Sequence, residues 1–470
     1  MSPPLASMHD AEATPAMPIE AIAAPPSRRH WLRPALAALG LAAVGLVAGF
    51  GVEGDVASRA VLVAGVCLVL WLSELVPPFV PTLLLLGATP VVLGPLAPDY
   101  RLSSVLTWCA DPVLILFLGG FTLEVAAMRH GLDSAVARHV VRWSRGRPRL
   151  LLLLVMGGVA FLSMWMSNVA AAAMMLAALR PVLLAAPPGA PLRPALLASV
   201  ALGANLGGMA TPVGSGPNAL AVSAASTFAP VTFAGWMAFA LPLTALMLLL
   251  GFGLILLRFR VSGPLTLPAT PATRALSPSG RRVLAVSAAC VVAWLTEPLH
   301  GVPAPVVALG ATALLFGTGL LRREDLGRLD WSTLLLIAGG LALGKLLEHS
   351  GVVAHALDGA RLEALPREAR LGALVVVAAA LSALMSNTGT AALLLPLALS
   401  VEPSASTPIL VAMGCSFGIP FAISTPPNAM AAGEGLDTSE LLRLGLPLMA
   451  VGCLLVSVTG PWVLRLFGLP

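Results

Sequence analysis

Two stretches decide how this chain is read: FLSMWMSNVAAAAMML (161–176) and ALSALMSNTGTAALLL (380–395). Each sets a polar knot into an apolar run, Ser167-Asn168-Val169 in the first and Ser386-Asn387-Thr388 in the second. A further serine lies four residues upstream of each, at Ser163 and Ser382. Polar groups in hydrocarbon are costly unless satisfied, and non-helical backbone survives at membrane depth only when it is buried in protein or faces a cavity. Two such knots, one in each half, point to the broken-helix binding site of a secondary transporter built from inverted repeats.

The composition agrees. The 470 residues are 58% hydrophobic and 10% charged, where soluble domains carry about a quarter charged, and mean hydropathy is +0.92. The chain is therefore expected to be all-α and polytopic. Its net charge of +5 falls in short loops, where the positive-inside rule accounts for it better than a nucleic-acid partner. Lys345 is the only lysine and no GxxxxGK[ST] motif occurs, which excludes an ATP-driven pump in this polypeptide. Five cysteines stand singly in apolar surroundings and read as small buried hydrophobes.

Organisation follows from the apolar runs, each near the ~20 residues that span a bilayer. Residues 1–33 are expected to be a disordered cytoplasmic tail, and Arg28, Arg29 and Arg33 keep the N-terminus inside. A scaffold part of the first repeat covers 34–128. A basic surface helix, a re-entrant hairpin at 150–186 and a helix broken at GGMATPVGSGPN (207–218) fill 129–258. A cytoplasmic loop occupies 259–282, and scaffold 283–348 follows. A second surface segment, a hairpin at 370–401 and a helix broken at STPPN (424–428) make up 349–470. About eleven crossings result, with the C-terminus outside, in a cell (inner) membrane.

The halves repeat. WLSELVPPFVPTLLLLGAT from Trp71 and WLTEPLHGVPAPVVALGAT from Trp294 share Trp, Leu, Glu and the closing Leu-Gly-Ala-Thr. Gly119-Gly120 then answers Gly339-Gly340, Asn168 answers Asn387, and Asn218 answers Asn428, with a separation that shrinks slowly along the chain. Ordered matches with a shrinking offset are what duplication with small deletions leaves. Glu74 falls at the inner end of its span and Glu297 at the outer end, so the repeat is inverted.

Hairpin tips and helix breaks meeting at mid-membrane offer half-helix N-termini to an anion. They also offer freed carbonyl, hydroxyl and amide oxygens to a small hard cation. SMWMSNV, MSNTGTA, VGSGPN and STPPN, with WLSE at Trp71, resemble the divalent anion–sodium symporter family, which carries dicarboxylates, citrate or sulfate. The resemblance covers nearly the whole chain after the tail. It implies a homodimer working by an elevator motion, with substrate between the tips and a sodium ion on each side. Carried over by motif, the first sodium falls to Ser163, Ser167, Asn168 and Gly214, and the second to Ser382, Met385, Asn387 and Ser424. Substrate falls to Asn168, Val169, Ser215, Asn387, Thr388, Thr425 and Pro426. The sequence departs from the family pattern at Val169, where the first tip would carry threonine, and at Gly216, where the first proline of Pro-Pro-Asn would stand. Loss of that hydroxyl removes a donor and puts a symmetric dicarboxylate site in question; a smaller anion, or one with a less polar second end, is the alternative.

Two further expectations concern charge. No carboxylate lies in either knot, which argues against a proton relay at the site. Glu124 and Lys345 occupy near-equivalent repeat positions and are candidates to pair inside the membrane, where an ionisable residue is functional by default. An intramembrane serine protease at Gly214-Ser215-Gly216 is disfavoured, because Val213 breaks the motif and no histidine lies in a partner span.

Overall fold

The computed structural model describes residues 38, 40–42, 55–73, 75–187, 189–261, 276–352 and 365–469, and every regular element among them is helical. The tail 1–33, most of the span expected at 34–52, Glu74, and most of the segments 259–282 and 349–369 lie outside the described residues.

The first half runs α1 (Val56–Ser73), α2 (Phe79–Val92), α3 (Leu102–Thr107), α4 (Pro112–Arg129), α5 (Leu132–Trp143), α6 (Pro148–Ser163), α7 (Asn168–Ala185), α8 (Leu192–Gly207), α9 (Gly216–Ser226) and α10 (Phe233–Phe259). The second runs α11 (Pro278–Leu295), the single turn α12 (Glu297–His300), α13 (Ala304–Gly317), α14 (Trp331–His349), α15 (Arg367–Ser382), α16 (Asn387–Val401), α17 (Ser406–Ser416), α18 (Pro426–Gly433) and α19 (Thr438–Leu466). From α6 to α10 and from α15 to α19 the order is the same: a hairpin, a helix, a break, a short helix and a long closing helix. The tryptophans of the repeat do the same work in both halves. Trp71 donates to the Pro78 carbonyl at 2.8 Å and Trp294 to the Ala304 carbonyl at 3.0 Å. Among the described residues α4, α7, α10, α14 and α19 are long and apolar enough to cross a membrane.

Both hairpins turn where the sequence is polar. Ser167 caps α7, its Oγ accepting the Ala170 N–H at 3.3 Å, and Ser386 caps α16 by accepting the Gly389 N–H at 3.1 Å. A serine N-cap satisfies one of the four amides a helix start leaves open. The breaks follow from their composition as well. Pro217 sits in the first turn of α9 and Pro426 and Pro427 in that of α18, where the missing N–H is harmless.

Hairpin and broken helix touch backbone to backbone. A methyl group at Gly207 would strike the Ala160 carbonyl and Cα, and one at Gly203 the Met156 carbonyl. In the second half Gly414 and Gly418 meet Val375 and Ser382 in the same way. These are two Gly-x-x-x-Gly pairs, the spacing that lets apolar helices approach closely.

At the helix ends, the buried acids are matched by arginine. Asp325 pairs with Arg129 at 2.6 Å, Glu402 with Arg370 at 2.6 Å and Arg367 at 2.8 Å, and Glu440 with Arg258 at 2.6 Å. Burial alone would raise the Asp325 carboxyl, but the Arg322 N–H and the Arg129 guanidinium overcome it and hold it below the ordinary aspartate value. A depressed folded pKa stabilises above the ordinary range and loses that contribution as pH falls through the depressed value. Asp325→Asn should therefore lower stability by roughly 2 kcal/mol at neutral pH, less than for a wholly enclosed pair. Thermal unfolding in detergent across pH should show the variant and wild type converging in acid.

Candidate functional site

The two tips organise their surroundings alike. Ser163, wholly buried at the end of α6, donates to the Asn168 Oδ1, and its Oγ also lies 2.7 Å from the Ala204 carbonyl of α8. Ser382, wholly buried at the end of α15, lies 2.7 Å from Asn387 Oδ1 and 2.6 Å from the Cys415 carbonyl of α17. The glycine pairs permit this, since only a close helix approach brings a serine hydroxyl to a neighbouring helix's carbonyl.

Each break is folded around one asparagine. Asn218 donates to the carbonyls of Gly208 (2.9 Å) and Thr211 (2.8 Å); Asn428 donates to those of Ile419 and Phe421, both at 2.9 Å. Carbonyls freed by the break are thus taken up by a side chain, as buried backbone requires. Asn205 of α8 then crosses between the halves and donates to Asn428 Oδ1 at 2.8 Å.

Tips and breaks come together. Asn168 lies against Gly208, so closely that a methyl group there would strike its amide, and Gly208 in turn abuts Gly214. Thr388 of the second tip sits on Gly216 of the first break, where any Cβ would collide with its side chain. Ser424 is buried and donates to the Ala383 carbonyl at 2.7 Å, tying the second break to the second hairpin. Thr425 is buried and caps α18, accepting the Asn428 N–H at 3.4 Å. Met385 is buried beside Gly389, Ser215 caps α9 without a side-chain bond to it, and Pro426 is exposed. Val169 is 44% exposed.

Several buried oxygens at this junction have no hydrogen-bond partner: Ser215 Oγ, Asn205 Oδ1, Asn218 Oδ1 and Thr390 Oγ1. Both amide nitrogens are already committed as donors, so the two asparagine oxygens offer only lone pairs. Such a donor set suits a hard cation such as Na⁺. Four helices also begin here, α7, α9, α16 and α18, each with its positive end at the junction. A cavity of about 510 Å³ lies to one side, between α9, α14 and α16; it is lined by Trp108, Ser223, Lys345 and Glu348 and by none of the tip residues.

Two charge expectations need correction. Glu124 and Lys345 do not pair: Lys345 bonds Glu348 on its own helix at 2.9 Å, because a helix turn brings residues three apart together. Glu124 instead reaches the first tip, accepting the Ser167 N–H at 2.9 Å and the Ser167 hydroxyl at 3.0 Å. The first knot has no carboxylate of its own, yet the fold supplies one from α4. As a result Ser167 spends its hydroxyl proton on Glu124, while Asn168 takes that of Ser163. Asn205 and Thr211, which donates to the Met164 carbonyl of the first tip, were not singled out by any motif. Only its polarity within an apolar run marks Asn205, while Thr211 stands inside the break GGMATPVGSGPN (207–218) without a role assigned to it.

Residues 68–415 match the model of the citrate transporter family (CitMHS). The chain belongs to that family. An uncharacterised transporter of Haemophilus influenzae is 30% identical over 83% of this chain and 88% of its own length. The sodium-dependent dicarboxylate transporter SdcS of Staphylococcus saprophyticus is 27% identical over 78% of each chain. The low-affinity phosphate transporter PHO90 of Saccharomyces cerevisiae is 31% identical over 67% of this chain but 38% of its own length. The fold resembles that of the Alcanivorax borkumensis YdaH transporter, with a TM-score of 0.54 and 18% identity, covering 83% of this chain and 98% of that one. The protein is thus a multi-pass membrane transporter, and its family and relatives are carriers, not enzymes.

Two outcomes follow for this transporter. Gly207→Ala drives a methyl group into α6 backbone, which should cost about 1–3 kcal/mol; unfolding in detergent reads the loss. Asn168→Ala and Asn387→Ala each delete the tip amide from a half-buried position. Each should reduce anion uptake more than tenfold at matched expression, with elution on gel filtration unchanged.

Proposed function

We propose that this transporter imports small divalent anions, C4-dicarboxylates or related carboxylates, coupled to two or more Na⁺ ions, by an elevator-type exchange of access. What supports this most is the convergence of two serine–asparagine tips on two asparagine-folded breaks, with buried oxygens left unpartnered among them. Helix N-termini at Asn168, Gly216, Asn387 and Pro426 supply donors and partial positive charge to an anion. Its contacts fall to Asn168, Asn387, Thr388, Ser215, Thr425 and Pro426. Ser163, Ser167, Asn168 and the carbonyl of Gly214 supply lone pairs to one cation, and Ser382, Met385, Asn387 and Ser424 to another. α1–α4 and α11–α14 form the scaffold, the hairpins and broken helices the moving part, in a homodimer whose N-terminus is cytoplasmic.

A second cargo, a tetrahedral oxyanion such as phosphate or sulfate, is favoured by one observation. Val169 presents no hydroxyl where the second tip has Thr388, so the first tip is the poorer partner for a second carboxylate. PHO90 is named for phosphate, SdcS for dicarboxylates.

Coupling is tested in proteoliposomes. Uptake of succinate or phosphate should rise at least tenfold under an inward Na⁺ gradient and depend on Na⁺ with a Hill coefficient above one. Equal uptake with choline in place of Na⁺ would sink symport and favour exchange.

A further inference from the structure

Glu124 is half-buried, and it differs from the three buried acids among the described residues. Asp325, Glu402 and Glu440 each face arginine, whereas Glu124 forms no ion pair among the described residues and spends both carboxylate oxygens on Ser167. Its position is the N-terminal cap of α7, where an incoming anion would look for a helix N-terminus and its N–H groups. One of those donors, the Ser167 N–H, and the neighbouring hydroxyl are already filled by a carboxylate of the protein itself.

The second tip is different. The position 220 residues after Glu124 is Gly344 of α14, which approaches Pro396 instead. There Ser386 caps its own helix, and Thr388 keeps its hydroxyl over Gly216. The first tip is thus depleted of anion donors twice over, once by Glu124 and once by Val169.

We propose that Glu124 is an internal anion that occupies the first tip, so that the cargo docks one charged head against the second tip and first break, and tetrahedral oxyanions are taken in preference to linear dicarboxylates. This rests on the anion-transport reading above but takes its second cargo over its first, and it moves Asn168 from the cargo to the cation. A carboxyl group fixed beside the tip takes the donors that a second cargo carboxylate would need, and when ionised it repels that carboxylate as well. Discrimination then comes from rejecting the wrong anion as much as from holding the right one. Phosphate and sulfate place their charge within one compact head and do not need the far tip.

The full-length protein, Glu124→Gln, Val169→Thr and the double variant are reconstituted, and half-saturation for phosphate, sulfate and succinate is measured under one Na⁺ gradient. Anion-induced thermal shifts in detergent give a second, transport-independent ranking. Wild type should favour phosphate or sulfate over succinate. Glutamine has one acceptor oxygen and no charge, so Glu124→Gln should improve succinate relative to phosphate about tenfold, the scale of one charge-assisted hydrogen bond. Val169→Thr alone should move that ratio less than twofold, and should add to it once Glu124 is neutral, a coupling a double-mutant cycle reads directly. An unchanged ratio in Glu124→Gln, or a wild type that already prefers succinate, overturns the proposal. Should the glutamine variant not fold, Val169→Thr decides it: a several-fold gain for succinate with Glu124 intact shows that the first tip was open all along. A wild type that responds to none of the three anions overturns the transport reading itself.

Discussion

Where α6 crosses α8, and again where α15 crosses α17, the helices lie closer than any side chain at Gly203, Gly207, Gly414 or Gly418 would allow. In a bilayer there is little hydrophobic drive between helices, so close packing and interhelical hydrogen bonds must supply it. Here they supply more than cohesion. The approach brings Ser163 to the Ala204 carbonyl and Ser382 to the Cys415 carbonyl, and each serine then fixes the asparagine of its tip. The arrangement of both tips is therefore downstream of a steric fact about four glycines.

Duplication gave the site its plan, and departures from symmetry gave it direction. Asn218 and Asn428 fold their breaks in the same manner, yet only Asn428 receives a bond from Asn205. Thr388 rests on Gly216, a contact that no residue with a Cβ at 216 would leave in place. Glu124 reaches one tip alone. A carrier whose cargo enters from one side and leaves on the other has no need of two equal ends, and none of these three features is shared between the ends.

Much of this was legible beforehand because it rests on local chemistry. Serine, asparagine, glycine and proline inside apolar runs announce caps and breaks wherever they occur, so the hairpins at 150–186 and 370–401 and the breaks near Gly214 and Ser424 could be placed from residue types. Glu124 could be flagged but not assigned. Its partner is 43 residues away, and which of several spans lies beside α4 is decided by packing that no short window contains. Equivalent repeat positions suggested Lys345, but one turn of helix offered that lysine a nearer partner in Glu348. Thr211 and Asn205 escaped notice for a related reason: each satisfies a carbonyl or amide of a different segment, and nothing in their own neighbourhood shows the need.

The bond from Asn205 to Asn428 joins α8 of one half to the broken segment of the other through an enclosed, water-poor junction. Sliding one half past the other by a single helical turn would break that bond and leave the Asn205 amide N–H to seek another acceptor. The crosspiece thereby opposes shear along that seam: parting α8 from the second break costs a buried hydrogen bond between the halves, a cost that displacement at the outer faces of either half does not carry.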